Sequence, residues 1–482
     1  MSDTKSISLF FSFLPIIVLI PFLGLNVYFF GDNTLSGPNQ LALLFSAAVG
    51  IAVGIQHKFS LQVIFKSIEK NIASTVEAMI ILLLIGSLAG SWMLGGIVPA
   101  FMDYGLKILH PSYFLVASTV ICAVISLASG SSWSTIATIG IALLSIGKAL
   151  GFSEGIIAGA IISGAYFGDK MSPLSDTTNL AAAMARTDLF KHIKYMLITT
   201  GPSFSINILI FAGIGLFYDT PQTQVNTELL SSAIENTFYI SPVLFLVPAV
   251  VIFLIIKKIK PTAVLFIGAI LGVVCAVIFQ PELVAQIGGN SGNYFQDVYR
   301  ATMISMGSEM QITTSNEGIN DLLATGGMAG MMPTIWLILC AMTFGGVMDA
   351  IGALTRITAW LMKGVSTATG VVATTAGSSL FINFTASDQY LAIVIPGKMY
   401  GESFEKMGLA PENLSRTLED SGTVTSVLIP WNTCGATQSA VLGVGTFVYL
   451  PYCFFNYISP VMTILFAWLN IKIAHTQKTI EI

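Results

Sequence analysis

Residues 164–179 read GAYFGDKMSPLSDTTN. Within these sixteen positions stand two acids (Asp169, Asp176), a lysine (Lys170), a proline and a series of hydroxyl and amide side chains. The surrounding chain is of the opposite character. Its 482 residues are 54% hydrophobic and only 10% charged, where a soluble globular protein carries about 25% charged residues. Too few charges exist to clothe a water-soluble surface of this size, so most of the surface faces lipid. Uncharged apolar runs such as Leu9 to Phe30, Met196 to Phe217, Phe238 to Ile256 and Tyr449 to Leu469 approach or reach the roughly 20 residues that cross a bilayer. The quoted stretch is therefore a polar break inside a membrane-embedded helical protein. Gly and Pro interrupt a helix where irregular backbone lines a cavity or is buried in protein.

Three similar breaks occur: SGSSWST at 129–135, NFTASDQY at 383–390, and EDSGT at 419–423 running on to PWNTCGATQS at 430–439. Sliding the chain on itself by 257 residues pairs Gly95 with Gly352, Gly140 with Gly397, Gly151 with Gly408 and Pro173 with Pro430. One further slip pairs Pro202 with Pro460. The same offset pairs the first break with the third and the second with the fourth.

Lys and Arg set the expected orientation. Lys58, Lys66 and Lys70 fall in one connection, Arg186, Lys191 and Lys194 in a second, Lys257, Lys258 and Lys260 in a third, and Arg356 with Lys363 in a fourth. Segments 31–38 and 218–239 have none, and 281–320 has only Arg300. The basic connections are expected in the cytoplasm, with both termini inside. The first repeated unit then starts inside and the second outside. This predicts an all-α polytopic membrane protein built on two inverted-topology repeats with broken helices and re-entrant hairpins, a common plan of secondary transporters. The expected divisions are N-terminal helices at 1–70, repeat 1 at 71–217, linker helices with an external loop at 218–330, repeat 2 at 331–472 and a cytoplasmic tail at 473–482. The apolar stretch from Ile7 to Phe30 is too long for a signal-peptide core, and no small-x-small site follows it. It is expected to be a retained first helix.

An ionised carboxylate inside a bilayer is costly unless paired, hydrated or bound to a cation. Sodium is a hard cation expected to prefer oxygen ligands, and broken helices supply free carbonyls beside Ser, Thr, Asn and Asp. A buried carboxylate that takes either a proton or a cation suffices for exchange, since each expels the other. None of the four histidines lies well inside an expected span, so carboxylates are the expected proton carriers. The five cysteines are isolated, without metal or disulfide spacing. Plainer roles compete at each position. Asp176 and Asp388 stand where a residue caps a helix, Asp169 beside Lys170 can form a local ion pair, and Glu419 with Asp420 can sit in a vestibule.

The runs 164–180, 386–390, 418–423 and 430–436 resemble the NhaC family of sodium/proton antiporters, and the likeness extends over nearly the whole chain. The resemblance implies the ion transporter superfamily fold, a prokaryotic cytoplasmic membrane, a homodimer, and exchange of external protons for internal sodium. Similar members exchange malate for sodium and lactate. On this reading Asp176, Asn432 and Thr433 bind sodium, and Asp169 and Asp388 assist or relay protons. Thr177, Ser131, Ser132 and Asp420 complete the expected ion- and proton-binding set. Sodium and protons are the cargo and no cofactor is expected. The alternative is a sodium- or proton-coupled carrier of organic anions, which needs a cation or helix N-termini for the carboxylate. Lys170 and Lys398 are the basic residues close to the polar breaks. No Lys/Arg cluster points to nucleic acid. HExxH, GxSxG and Walker motifs are absent, which argues against a metalloprotease, a serine hydrolase and a nucleotide-driven pump.

Overall fold

The computed structural model describes residues 7–30, 34, 37–218, 227–257, 259–314, 320 and 323–476. Lys258 and the tail after 476, both used in the charge reading, lie outside the described residues. The chain is almost wholly helical. α1 (Leu9–Phe30), α2 (Pro38–Gln56) and α3 (Leu61–Ser74) precede α4 (Val76–Leu94) and α5 (Ile97–Ile108). α6 (Pro111–Ser129) follows, then α7 (Ser132–Thr135), which runs through a π-helical turn, Ile136–Gly140, into α8 (Ile141–Ala149). α9 (Glu154–Met171), α10 (Asp176–Ala185) and the long α11 (Leu189–Phe217) end the first unit. The middle holds α12 (Thr227–Thr237), α13 (Leu246–Ile256), α14 (Pro261–Phe279), α15 (Pro281–Gly288) and α16 (Tyr294–Gly307). Then come α17 (Met332–Ala350), α18 (Ala353–Leu361), α19 (Ala368–Thr385), α20 (Gln389–Lys406) and α21 (Pro411–Leu418). A π-helical turn at Glu419–Thr423 leads through a short 3-10 turn to α22 (Thr433–Leu442), α23 (Thr446–Tyr449) and α24 (Phe454–Trp468). Among the described residues, eight helices are long and apolar enough to cross a membrane, or ten if two bent pairs each count as one span.

The elements recur along the chain. α6, α9, α10 and α11 begin at 111, 154, 176 and 189; α19, α21, α22 and α23 begin at 368, 411, 433 and 446, each 257 later. Backbone detail recurs with them. Gly130 and Ser387 share a left-handed conformation (φ 72° and 59°), as do Gly151 and Gly408 (86° and 66°) and Arg186 and Gly443 (59° and 65°). A non-glycine residue seldom adopts this conformation. Its return at Ser387 and Arg186 therefore marks geometry the fold imposes. Ser175 and Asn432 cap α10 and α22 in the same way.

Some expectations need correction. The apolar 72–100 stretch is not one helix but breaks at Thr75 and again at Gly95–Gly96, where Gly96 is left-handed (φ 75°). Residues 413–427 do not form one helix: α21 is followed by π and 3-10 turns through the break at 419–423. The expected external loop at 281–320 contains α15 and α16. The latter packs on α4, with the Ser87 hydroxyl donating to the Met306 carbonyl at 3.2 Å.

Close approach of α6 and α9 fixes the scaffold beside the polar breaks. Gly164 and Gly168 face α6. A Cβ on Gly164 would lie 2.1 Å from the Thr119 carbonyl oxygen, and one on Gly168 would lie 2.3 Å from that of Ala123. Ser126 and Thr119 hydroxyls cross the interface to the carbonyls of Ala165 (2.6 Å) and Ala160 (3.2 Å). Small residues four apart, cemented by hydroxyls, are how helices pack where lipid offers no hydrophobic drive.

Candidate functional site

The four breaks meet. At the first, Gly130 packs on Leu174 of the second, so closely that a Cβ would stand 2.6 Å from the Leu174 carbonyl carbon. At the third and fourth, the Thr433 amide donates to the Ser387 carbonyl at 3.0 Å. The Tyr390 hydroxyl, at the start of α20, donates to Asp176 Oδ2 at the start of α10, tying the two units together.

Each break satisfies its released backbone with nearby side chains, as buried polar groups require. The Thr178 hydroxyl bonds the Lys170 carbonyl at 3.0 Å, and the Asn179 amide bonds the carbonyls of Pro173 (3.0 Å) and Ser175 (2.6 Å). In the second unit, Asn383 Nδ2 reaches the Gly422 carbonyl (2.7 Å) in the π-helical turn, and Asn456 Nδ2 reaches that of Val424 (2.7 Å). Hydroxyls and amides that read as ligands in the sequence are thus partly consumed in holding the breaks open.

A cavity of about 640 Å³ opens between the breaks. Its walls carry buried Asp169, Asp388 and Thr433, half-buried Ser131, and exposed Asp176 and Tyr390, with Trp133, Gln389 and Cys434 beside them. Its mouth carries Ser74, Glu77 and Lys260, all exposed. Four carboxylates therefore line a wall whose one described cation, Lys260, stands at the rim.

The individual acids differ. Asp169 is buried, and its Oδ2 accepts from both the amide (3.0 Å) and hydroxyl (2.6 Å) of Ser132, while its Oδ1 has no hydrogen-bond partner. Asp176 Oδ1 accepts only from the adjacent Thr177 amide at 2.9 Å. Asp176 is not the cap of α10, since the Ser175 side chain fills that role. Asp388 does cap its helix, its Oδ1 accepting from the Leu391 amide at 2.8 Å, yet it also lines the cavity.

The remaining expected site residues fall in three places. Ser131 lines the cavity while its hydroxyl accepts from the Ser134 amide (3.2 Å) as the cap of α7. Ser132 and Thr177 sit one layer behind the wall, Ser132 on Asp169 and Thr177 on the Ser175 hydroxyl at 3.0 Å. Asn432 and Asp420 are outside the cavity lining. Asn432 Oδ1 caps α22 through the Cys434 amide (3.0 Å), and its Nδ2 donates to the Asn383 carbonyl (3.0 Å), so its oxygen is already engaged in holding the break. Asp420 is fully buried in an ion pair with fully buried Lys170. Ser459 bridges the two, and the Thr199 hydroxyl donates to Asp420 Oδ2 at 2.9 Å. Lys170 is thereby paired across the units and not with neighbouring Asp169. Neither it nor exposed Lys398 lines the cavity.

Gln389, Tyr390 and the mouth residues were not singled out by the sequence. Gln389 Oε1 accepts from the Cys434 thiol (2.6 Å) and the Ser426 hydroxyl (3.1 Å). The signal for Gln389 and Tyr390 was their place in the same polar run as Asp388. Of the mouth residues, Lys260 was legible only as part of a basic connection, because the mouth forms where the end of α3 and the starts of α4 and α14 come together.

The profile of the Na+/H+ antiporter family matches residues 164–471. A Na(+)/H(+) antiporter NhaC of Alkalihalophilus pseudofirmus is 40% identical over 403 residues, covering 83% of this chain and 84% of its own. A malate-2H(+)/Na(+)-lactate antiporter of Bacillus subtilis is 34% identical over 464 residues, covering 96% of this chain and 95% of its own. Among solved structures, Neisseria gonorrhoeae MtrF covers 95% of this chain and 97% of its own at 14% identity, with a TM-score of 0.39.

Proposed function

The chain belongs to the Na+/H+ antiporter family, and from that premise we propose that it exchanges sodium for protons by competition at the cavity carboxylates Asp169, Asp176 and Asp388. The protein is a multi-pass membrane protein, and the charge pattern supports a cytoplasmic-membrane orientation with both termini inside. The two units then cross the membrane in opposite senses, and the mouth at Ser74 and Lys260 opens to the cytoplasm. The observation that carries the reading is the gathering of three carboxylates, one with an unpartnered buried oxygen, in one cavity whose one described cation stands at the rim. Such a site is electrically incomplete until it takes protons or a cation. Sodium would be held by carboxylate oxygens with the hydroxyls of Thr433 and Ser131 beside them. Ser132 and Thr177 would orient the ligands, and Asn432 and Asp420 would hold the surrounding frame.

Exchange of organic anions is the alternative, and the Bacillus subtilis relative keeps it in view. What supports sodium and protons over it is the balance of charge in the lining, where four carboxylates stand against one described lysine at the rim. The test is purified protein in liposomes under an imposed pH gradient, with sodium as the only cargo. Sodium uptake driven by the gradient is expected. If uptake requires malate or lactate, the sodium/proton reading fails.

A further inference from the structure

No histidine was expected well inside a span, and carboxylates were the expected proton carriers. His192 is fully buried on the first turn of α11, and among the described residues neither ring nitrogen has a hydrogen-bond partner. A buried imidazole with both nitrogens unanswered is an unusual thing to keep in a membrane protein, since each costs free energy unless something visits it.

Its surroundings supply what would visit. Its charged neighbours are Asp420, Lys170 and Glu412. Glu412, at the start of α21, lies against a second cavity of about 690 Å³ that also carries Lys191, Lys194, Tyr195 and Lys472. One oxygen of Glu412 is engaged by Lys191 and by the Thr187 hydroxyl (3.1 Å), and the other is buried without a partner. Two turns further along α11, the Thr199 hydroxyl donates at 2.9 Å to Asp420 of the Lys170–Asp420 pair. Arg416 packs over the Tyr195 ring at 4.7 Å. α6 and α24, which also pack on α11, contain no ionisable side chain other than tyrosines and the buried thiol of Cys122. Arg186, at the end of α10, is exposed. α11 thus contacts an acid at the second cavity through Lys191 and a fully buried acid through Thr199, with His192 between those two contacts along the helix, and neither acid lines the carboxylate cavity.

We propose that His192 is a proton-transfer residue joining the pocket at Glu412 to the Lys170–Asp420 pair, so that protons and sodium enter from the same face by separate openings. A proton taken up by Glu412 moves to a free imidazole nitrogen, giving imidazolium. The imidazolium then passes a proton to the Asp420 carboxylate and the ring returns to neutral. One proton is relayed and no other bond changes. Each hop is completed by a side-chain rotation or an intervening water. Protonation of Asp420 releases Lys170, whose backbone adjoins Asp169 in the cavity wall, and this links the relay to the cation site. The proposal rests on the sodium/proton reading above and adds a path to it.

The test separates proton movement from sodium movement in one preparation. His192→Phe and His192→Gln are reconstituted in liposomes beside the parent protein. Sodium/proton exchange is measured as gradient-driven sodium uptake from neutral to alkaline pH, and sodium/sodium exchange as isotope counterflow with no pH gradient. Counterflow needs no proton. Both variants are expected to lose sodium/proton exchange by at least about tenfold, in the manner of a lost proton-transfer group, with a flattened pH profile and unchanged counterflow. Unchanged exchange in both variants overturns the proposal. So does a parallel loss of counterflow in the conservative Gln variant, which assigns His192 a packing role. Failure of the parent protein to exchange sodium for protons without an organic acid is a different result, and it removes the premise instead.

Discussion

Lys170 and Asp420 are 250 residues apart in sequence and fully buried against each other, and their pairing makes a quantitative prediction. Removing one member of a buried ion pair leaves an uncompensated charge and costs about 3–5 kcal/mol, whereas replacing both by apolar residues is often neutral or stabilising. The structure ranks the two single changes. In Lys170→Met, Asp420 keeps the hydroxyls of Thr199 and Ser459 as donors, so the loss belongs at the lower end, about 3 kcal/mol. In Asp420→Leu, the ammonium keeps only the Ser459 hydroxyl (2.9 Å) and the face of Phe455 at 5.7 Å, so the loss belongs nearer 5 kcal/mol. The double variant Lys170→Met/Asp420→Leu removes both charges and is expected within about 1 kcal/mol of the parent protein, a coupling of several kcal/mol. Unfolding in mixed micelles titrated with a denaturing detergent, followed by tryptophan fluorescence, gives all four corners of the cycle. Strict additivity of the two single losses, or a single loss below about 1 kcal/mol, would refute the assignment of these residues as a mutually dependent buried pair.

Three further outcomes are expected. Asp176→Asn should reduce sodium-driven proton exchange in everted vesicles by at least about tenfold, equivalent to about 1.4 kcal/mol, while protein in the membrane is unchanged; Asp388→Asn should leave a weaker, pH-shifted activity, and an unaltered pH profile would reduce Asp388 to its capping role. Gly164→Leu should lower the yield of folded protein recovered by size-exclusion chromatography, because its Cβ alone meets the Thr119 carbonyl at 2.1 Å; normal yield would contradict the close packing of α6 on α9. Ser74→Cys should react with a membrane-impermeant thiol reagent in everted but not in right-side-out vesicles, against a low background because the five native cysteines are buried; the opposite pattern would invert the orientation read from the basic connections.

The sequence carried the breaks and their pairing because glycine, proline and hydroxyl residues are conspicuous against apolar helices, and because a repeated backbone leaves repeated punctuation. It did not carry the partition of those polar residues between ligand and brace. Asn432 reads as a ligand by composition, yet it stands immediately before a helix, where an amide oxygen most readily accepts from the backbone. Its capping bond was therefore legible from position, as was that of Ser175, which relieves Asp176 of the same duty. The Lys170–Asp420 pair was not legible, since nothing local links residues so far apart. Nor was the burial of His192. It lies three residues from the start of α11, and what buries it is the packing of elements distant in sequence against that helix. α15 and α16 were missed for a different reason. Their polar content is that of a loop, and what holds them helical is contact with α4 and α14 more than their own pattern.

The tie between Tyr390 and Asp176 explains how loading of such a site can move the protein. The hydroxyl belongs to α20 in one unit and the carboxylate to α10 in the other, so this hydrogen bond is part of the contact between the two halves. A cation on Asp176 draws on the same oxygen, and a proton on it removes the acceptor's charge. Each occupant therefore changes the free energy of the contact by a different amount, and a ligand shifts a conformational equilibrium only through such a difference. Asp169 is bound to Ser132 at a hairpin tip of its own unit and has no such reach. On the proposed exchange, Asp176 would accordingly be the acid at which binding and rearrangement are joined. Tyr390→Phe separates these roles: sodium binding should survive while the sodium dependence of exchange changes, and a variant with parental exchange at every sodium concentration would show that the contact between the units does not sense the ion.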